Sequence, residues 1–351
     1  MLAACVGTLF SRWKLWPNHT GETPDQRWAP FSIPSALLGV GAGVAVAILL
    51  LAGSAVLDNL GSPSAHAVPL VHGISGRYVA IGDSYSAGEG LRPFFPGTAA
   101  TNCDRSESQA YSELLKFSGD RVPLTIRACS GAVISDILHS VDRNGITVPA
   151  QVNGTVQPDV GLVTLTIGGN DMFFSKILIA CMADANCLHA QFPPTGVTDK
   201  YVPRAPLASW STSAILDVGK RDARLFHALR REFPMARIVV LGCPYLFPDG
   251  AAPYWPLNCF SILRRVSEPV RDDIRTLEDR FNNEIYEEAI AAHLEFVSPN
   301  AMWQGHEPCG SAGQYTNSIK PYLSFTSPVD SGSFHPNTAG QQTLAAWSPA
   351  T

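Results

Sequence analysis

A short apolar run that stops at Gly82-Asp83-Ser84 constrains this chain more than any other stretch. Residues 78–81 are Tyr-Val-Ala-Ile, and small or polar residues follow them. The pattern predicts a buried strand whose end delivers a serine to the edge of a sheet. Gly82 permits a tight turn, and a hydroxyl on such a rigid support is placed as a nucleophile needs to be. An ordinary turn capped by Asp83 or Ser84 gives the same pattern, so other segments have to decide.

Strand-like and helix-like segments alternate along the chain from about residue 76 onward. Residues 160–167 and 237–241 are apolar and rich in β-branched side chains, which is typical of buried parallel strands. Apolar residues recur at helical spacing over 213–233 and over 267–293, and the second segment is predicted to be the longest helix. Residues 109–117 are also predicted to be helical. The alternation predicts an α/β fold in which helices cover both faces of a parallel sheet, with residues 76–351 as one domain.

The N-terminal part of the chain differs in kind from this domain. Residues 33–57 carry no charge, and 36–57 are almost wholly apolar, which is about the length that a membrane-spanning helix needs. Basic residues precede this stretch, so residues 1–32 are expected to stay in the cytoplasm. Residues 58–75 are then predicted to form a linker to the exported domain.

The sequence leaves open whether the apolar segment is removed after export. Its length favours an uncleaved signal anchor, whereas Ala65 and Ala67 form an Ala-x-Ala motif that favours cleavage as a signal peptide. In either case the residues after about 68 are expected outside the cell. They would be secreted, or anchored to the outer face of the membrane by residues 33–57.

Charge and cysteine spacing exclude two kinds of site. The formal net charge is -5 at pH 7, without the basic field that a nucleic-acid partner would require. The cysteines that follow the apolar segment include no Cys-x-x-Cys pair, so a zinc site is not indicated. In an exported domain they are better interpreted as disulfides. Their number is odd, and Cys243, at the end of an apolar run, is the best candidate for a buried free thiol.

Further polar segments follow predicted strands or lie close to the C-terminus. Gly131 comes after a second predicted strand at 124–127, and Asn170 and Asp171 come after the third at 160–167. His335 precedes the last predicted helix, at 338–347. The carboxyl ends of parallel strands meet at one edge of a sheet. Ser84, Gly131 and Asn170 are therefore expected to converge there, and His335 could reach the same edge from the final loop.

These segments together resemble a known family. In order along the chain, Gly82-Asp83-Ser84, Gly131, Gly168-x-Asn170-Asp171 and His335 are similar to the four sequence blocks of the SGNH (GDSL) hydrolases. The extended forms around Ser84 and His335 resemble the secreted actinobacterial esterase and lipase branch. The resemblance covers the chain from about residue 75. It implies a flavodoxin-like three-layer α/β/α sandwich around a central parallel sheet, and ester hydrolysis without a metal or cofactor.

The resemblance also implies a role for individual residues. Ser84 would be the nucleophile, and His335 its general base. The backbone N–H groups of Ser84 and Gly131 and the side chain of Asn170 would form the oxyanion hole. Asp83 and Asp171 are expected to be structural, because each can bond the backbone of a turn. The implied disulfides are Cys103–Cys129, Cys181–Cys187 and Cys259–Cys309, which leaves Cys243 free.

The sequence departs from the family at the acidic member of the triad. Most members carry Asp three residues before the histidine, and this chain has Gly332 there. In the secreted branch a backbone carbonyl can replace the carboxylate, so the carbonyl of Gly332 is predicted to orient His335 by accepting its Nδ1–H. Asp330 is the rival orienter, although it would need a bent loop to reach the ring.

Three functions are compatible with this sequence. The leading one is a serine esterase or lipase that acts on acyl esters or lipids as a monomer. Residues 173–206 and 244–263 follow predicted strands and could be loops that line its substrate pocket, or ordinary insertions. The alternatives are a deacetylase of a cell-surface polysaccharide and a catalytically silent surface-binding module. The missing Asp is the observation that suggests the silent module.

Overall fold

The structure is a computed structural model, and it describes residues 69–118, 122–184, 186–248, 267–308, 310, 312–317 and 331–347. The predicted cytoplasmic and apolar segments, most of the linker, the Cys259–Cys309 pair and Asp330 lie outside these residues. Within the described part of the chain, none of the helices combines the length and the apolar character that crossing a membrane requires.

The strands are short except where they form the central sheet. They are β1 (Leu70–Val71), β2 (Arg77–Gly82), β3 (Lys116–Phe117), β4 (Leu124–Ile126), β5 (Val141–Arg143), β6 (Ile146–Val148), β7 (Val160–Thr166), β8 (Gln191–Phe192), β9 (Ala205–Pro206), β10 (Arg237–Leu241) and β11 (Glu295–Val297).

Two long helices and several short ones surround these strands. They are α1 (Ser84–Ala87), α2 (Tyr111–Leu114), α3 (Ile134–Leu138), α4 (Phe174–Ala183), α5 (Leu207–Glu232), α6 (Glu268–Ala291), α7 (Asn300–Trp303) and α8 (Thr338–Ala345), with a 3₁₀ turn at Cys187–His189.

The central sheet has five strands in the spatial order β11-β10-β7-β2-β4, and every neighbouring pair is parallel. Numbered along the chain, these five strands follow the order 2-1-3-4-5, which is the flavodoxin-like order. The predicted parallel α/β sheet is therefore confirmed. The order reverses beside β2, so the strand that ends two residues before Ser84 stands at the switch point, where such sheets bind ligands.

Alternate residues of the central strands face two separate hydrophobic cores. On β2, Val79 and Ile81 belong to the core that includes side chains of α4, α5 and α6, whereas Tyr78 and Ala80 belong to the core that contains Trp303 and residues of α2 and α8. All four β2 residues are fully buried. Burial on both faces explains why the sequence of the strand is a continuous apolar run. The sheet is the middle of three layers, with helices packed on each face.

The helices differ from the sequence predictions in three respects. α5 begins at Leu207, six residues before the predicted start, because Leu207 and Trp210 extend its buried stripe. With 26 residues it is longer than α6, which has 24, so the prediction of the longest helix was wrong. The helix expected over 109–117 is reduced to α2, because residues 116 and 117 pair with β1 instead.

The cysteine predictions that fall on described residues are confirmed. Cys103 is bonded to Cys129, and Cys181 is bonded to Cys187. Cys243 is a free thiol as predicted, although it is half-buried rather than fully buried, and burial raises its pKa. The first bridge ends two residues before Gly131, so it anchors the turn on which that glycine lies.

Candidate active site

Gly82 allows β2 to end in a sharp turn beneath Ser84. Its φ of +123° is one that only glycine adopts readily, and a Cβ atom there would lie 2.3 Å from the carbonyl oxygen of Thr166. The side-chain amide of Gln151 holds the same residue from the other side. It accepts the Gly82 N–H at 2.6 Å and donates to the Gly82 carbonyl at 2.8 Å. Both backbone polar groups of Gly82 are therefore hydrogen-bonded to Gln151, and this fixes the turn that leads to Ser84.

Asp83 caps α1, the short helix that begins at Ser84. Its carboxylate accepts the backbone N–H of Tyr85 at 3.1 Å and the hydroxyl of Thr166 at 2.6 Å. Burial raises the pKa of Asp83 to about 7, against the opposing effect of these two hydrogen bonds. These contacts agree with the structural role expected for this residue, since they hold the turn to β7.

Ser84 and His335 lie within hydrogen-bond distance. Ser84 Oγ is 2.7 Å from Nε2 of His335, and Nδ1 of the same ring is 3.0 Å from the carbonyl oxygen of Ser333. A carbonyl can only accept, so this contact requires the proton on Nδ1 and leaves Nε2 with its lone pair directed at the serine hydroxyl. The arrangement is the tautomer that a general base needs.

The carbonyl that contacts Nδ1 is not the predicted one. The prediction was the carbonyl of Gly332, whereas the carbonyl in contact with Nδ1 belongs to Ser333, one residue later. The Gly332 oxygen accepts from the side chain of Asn317 at 3.1 Å and from the backbone N–H of His335 at 3.3 Å. The Gly332 carbonyl is therefore used within the turn, and the Ser333 carbonyl is the one that faces the ring.

Two residues that the sequence analysis missed hold the histidine loop. Tyr85 donates its hydroxyl to the carbonyl of Phe334 at 2.7 Å, and its ring lies 5.4 Å from the imidazole of His335. The backbone of Asn317 pairs with Phe334 and His335 through bonds of 3.0 and 2.8 Å. A signal for Tyr85 existed, because it directly follows the serine. Asn317 is 18 residues before the histidine and carries no motif.

Asn170 and Gly131 belong to one connected structure beside the serine. The side-chain amide of Asn170 donates one N–H to the carbonyl of Ala132 at 2.9 Å, which leaves its second N–H for another acceptor. Gly131 has a φ of +71°, in the left-handed region that favours glycine. Asn170 lines the same pocket as Ser84 and His335, and Gly131 lies on the adjoining turn.

Asp171 fixes the loop that carries Asn170. It accepts the backbone N–H of Ile134 at 3.0 Å and pairs with the guanidinium of Arg221, which also contacts Asp217 at 2.8 Å. Burial raises the pKa of Asp171 to about 6, against the lowering effect of Arg221. These contacts agree with the structural role expected for Asp171.

Polar and apolar side chains both line the pocket beside Ser84. Ser84, Asn170 and His335 are among the polar ones. The apolar side chains come from both insertions that the sequence analysis singled out and from the histidine loop; they are Phe174, Leu178, Leu246 and Phe334. Among the residues that the structure describes, no cluster of three or more His, Cys, Asp or Glu side chains is placed to bind a metal ion.

Comparison with known proteins agrees with this geometry. Lipase 1 of Streptomyces coelicolor is 27% identical over 296 residues, which cover 84% of this chain and 91% of that protein. A lipase of Streptomyces rimosus is 28% identical over 303 residues, covering 86% and 93%. Among solved structures, a phospholipase A1 from Streptomyces albidoflavus NA297 is 26% identical with a TM-score of 0.57, covering 78% of this chain and 97% of the other.

A family model supplies the assignment. The model of the GDSL-like lipase/acylhydrolase family matches residues 80–343, a span that contains Ser84, Asn170 and His335. The curated lipases are covered over nearly their whole length. The chain belongs to the GDSL-like lipase/acylhydrolase family, and it is a carboxylic ester hydrolase.

Proposed function

We propose that Ser84 is the nucleophile of this hydrolase and that His335, oriented by the carbonyl of Ser333, is its general base. The single observation that carries the proposal is the continuous contact from Ser84 Oγ through the imidazole to that carbonyl, at 2.7 and 3.0 Å. The same contact argues against a catalytically silent surface module, because such a module has no use for an aligned serine and histidine.

In the first half of the reaction Ser84 Oγ attacks the ester carbonyl carbon while its proton moves to Nε2 of His335. The negative charge that develops on the carbonyl oxygen would be stabilised by the N–H groups of Ser84, Gly131 and the Asn170 side chain. The Ser333 carbonyl holds the Nδ1–H throughout. It carries no full charge, so it stabilises the imidazolium less than a carboxylate would.

In the second half the intermediate collapses and the bond to the alcohol breaks. His335 returns the proton from Nε2 to the leaving oxygen, and the acyl group remains on Ser84. A water molecule then attacks the acyl-enzyme, giving a proton to Nε2, and the carboxylic acid leaves as Ser84 regains its hydrogen. All atoms are accounted for by the ester, one water and these two side chains.

Acyl lipids are the proposed natural substrates. The apolar lining residues Phe174, Leu178 and Leu246 suit a hydrocarbon chain attached to the carbonyl held beside Ser84. The similar proteins named as lipases and as phospholipase A1 support the same class. Deacetylation of a polysaccharide is the second candidate, and the acyl-length profile distinguishes the two.

The working location of the domain is proposed to be extracellular. The disulfides at Cys103–Cys129 and Cys181–Cys187 require an oxidising compartment in most organisms. A lipase of Streptomyces rimosus, whose structure is 24% identical over 78% of this chain with a TM-score of 0.55, is described as extracellular. Residues 33–57 would provide export or a membrane tether, and the domain would act as a monomer.

The test is hydrolysis of p-nitrophenyl esters from acetyl to palmitoyl by the wild-type protein and by Ser84→Ala. We expect activity on chains longer than acetyl, with turnover lost in the variant. Activity retained in folded Ser84→Ala would refute the serine mechanism. A strict preference for acetyl esters would replace the lipid assignment with the deacetylase.

A further inference from the structure

The segment that follows β10 forms part of the lining of the pocket beside Ser84. Gly242, Cys243, Pro244 and Leu246 all line the cavity that contains Ser84. Leu246 and Phe247 are almost completely buried, yet the segment belongs to no sheet or helix. Its backbone polar groups must therefore find partners outside regular structure.

Those partners come from one face of α6. The Asn282 side chain accepts the Cys243 N–H and donates to the Cys243 carbonyl, both at 2.8 Å. Glu278 accepts the Leu246 N–H at 3.1 Å, and Arg275 donates to the Phe247 carbonyl at 2.6 Å. Residues 275, 278 and 282 are separated by three and four positions, so they lie on the same side of the helix.

Tyr245 is held by the same helix face. Its hydroxyl bonds the carboxylate of Asp279, and its ring lies 3.7 Å from the guanidinium carbon of Arg275. Its backbone N–H donates to the side chain of Asn300 at 3.1 Å. Each residue from 243 to 247 except Pro244 is thus bonded through its backbone to a side chain of α6 or α7.

Glu278 differs from the other members of this set because it also lines the cavity. It is 1% exposed, and its second oxygen, Oε2, has no hydrogen-bond partner among the described residues. Burial raises the pKa of Glu278 well above its usual range, which favours the neutral acid. A neutral acid is compatible with an apolar acyl chain nearby, whereas a carboxylate would oppose it.

We propose that Glu278 is a positioning residue that sets acyl specificity, because its bond to the Leu246 N–H holds Leu246 as the wall against which the acyl chain packs. The inference rests on the proposed function, in which Ser84 reacts with acyl esters longer than acetyl. It assigns to α6 a role in substrate choice that none of the sequence blocks around Ser84 or His335 reveals.

The decisive variants are Glu278→Ala, Glu278→Gln and Leu246→Ala, with Asp273→Ala as the control. Gln has the shape of the neutral acid and keeps an oxygen that can accept the Leu246 N–H, whereas Ala removes the acceptor. Asp273 is an exposed carboxylate on the same helix. The probes are p-nitrophenyl phosphonates bearing a methyl or an octyl chain, which phosphonylate the active serine and release p-nitrophenolate without needing turnover.

We expect the octyl-to-methyl ratio of phosphonylation rates to fall by about tenfold in Glu278→Ala, the scale of effect expected from an unsatisfied buried N–H. Leu246→Ala should shift the ratio in the same direction. Glu278→Gln and Asp273→Ala should leave it within about twofold of the wild type. With octanoyl esters, the Glu278→Ala loss should be in KM more than in kcat.

An unchanged ratio in folded Glu278→Ala would overturn the proposal, and so would a fall in Glu278→Gln as large as that in Glu278→Ala. If Glu278→Ala does not fold, Leu246→Ala decides the question. An unchanged octyl-to-methyl ratio in that variant would show that the acyl chain does not pack against Leu246, and it would overturn the proposal. Wild-type protein that reacts with the phosphonates but hydrolyses no ester would refute the proposed function alone, since the ratio would still report on Glu278.

Discussion

The carbonyl oxygen of Ser333 lies 3.0 Å from Nδ1 of His335, two residues later in the same loop. The group that contacts Nδ1 of the proposed general base is therefore part of the main chain. A main-chain group cannot be removed by substitution of its own side chain, and it bears no charge that could titrate. The position of His335 thus depends on the shape of a turn, to which Tyr85 and Asn317 are hydrogen-bonded.

The first prediction concerns the choice between Ser333 and Asp330 as the orienting residue. Asp330→Asn is expected to keep kcat within about tenfold of the wild type, whereas the loss of a true triad carboxylate lowers kcat by about 10⁴. Ser333→Ala is expected to have an equally small effect, because it retains the carbonyl. Steady-state kinetics on a p-nitrophenyl ester measures both, with His335→Ala as the inactive reference. A loss in Asp330→Asn as large as in His335→Ala would make Asp330 the orienter.

The second prediction concerns the oxyanion hole. Asn170→Ala is expected to lower kcat by about 10²–10³ with little change in KM, because the donor is needed where charge develops. The same change also breaks the bond from Asn170 to the carbonyl of Ala132. A melting curve should therefore accompany the kinetics. A rise in KM with kcat unchanged would show that Asn170 binds the ground state instead.

The third prediction is that the folded domain is more stable at pH 5 than at pH 8. Burial raises the pKa of Asp83 to about 7 and of Asp171 to about 6, and it raises the pKa of Asp222 well above the usual range. Between about pH 4 and these raised values the native state binds more protons than the unfolded state, so the free energy of unfolding falls as pH rises. Each carboxyl contributes about 1.4 kcal/mol per pKa unit.

Urea unfolding at the two pH values measures this difference, and Asp222→Asn is the matched variant. Asp222 is fully buried, and neither of its oxygens has a hydrogen-bond partner among the described residues. The amide cannot ionise, so the variant should gain stability at pH 8 relative to the wild type and lose part of the pH dependence. A wild-type domain that is equally stable at both pH values would contradict the raised pKa values of these carboxyl groups.

The fourth prediction separates the two disulfides. Replacing Cys103 and Cys129 by Ser opens a loop with a sequence separation of 26 and should reduce stability by roughly 3 kcal/mol. It should also lower kcat, because Gly131 follows Cys129 by two residues. The same change at Cys181 and Cys187, whose separation is 6, should affect stability less. Equal losses of kcat in the two double variants would argue against a role for the first bridge in holding Gly131.

Much of the fold followed from local patterns. The strand that ends at Gly82 and the apolar stripes of α5 and α6 are periodic signals within a single segment, so they were predicted with errors only at their ends. The short helix α2 was overestimated because residues 116 and 117 pair with β1, about 45 residues earlier. That pairing is a tertiary contact, and no window of local sequence contains it.

The sequence by itself determined the alternation of the central-sheet strands with the main helices, and the candidate residues Ser84, Gly131, Asn170 and His335, because buried strands and short motifs leave local signatures. Only the tertiary structure decided that Ser333 rather than Gly332 faces the imidazole, that Gln151 holds Gly82, and that Glu278 bonds Leu246. Which carbonyl meets a ring depends on the dihedral angles of the turn. Which side chain meets a backbone group tens of residues away depends on how the helices pack on the sheet.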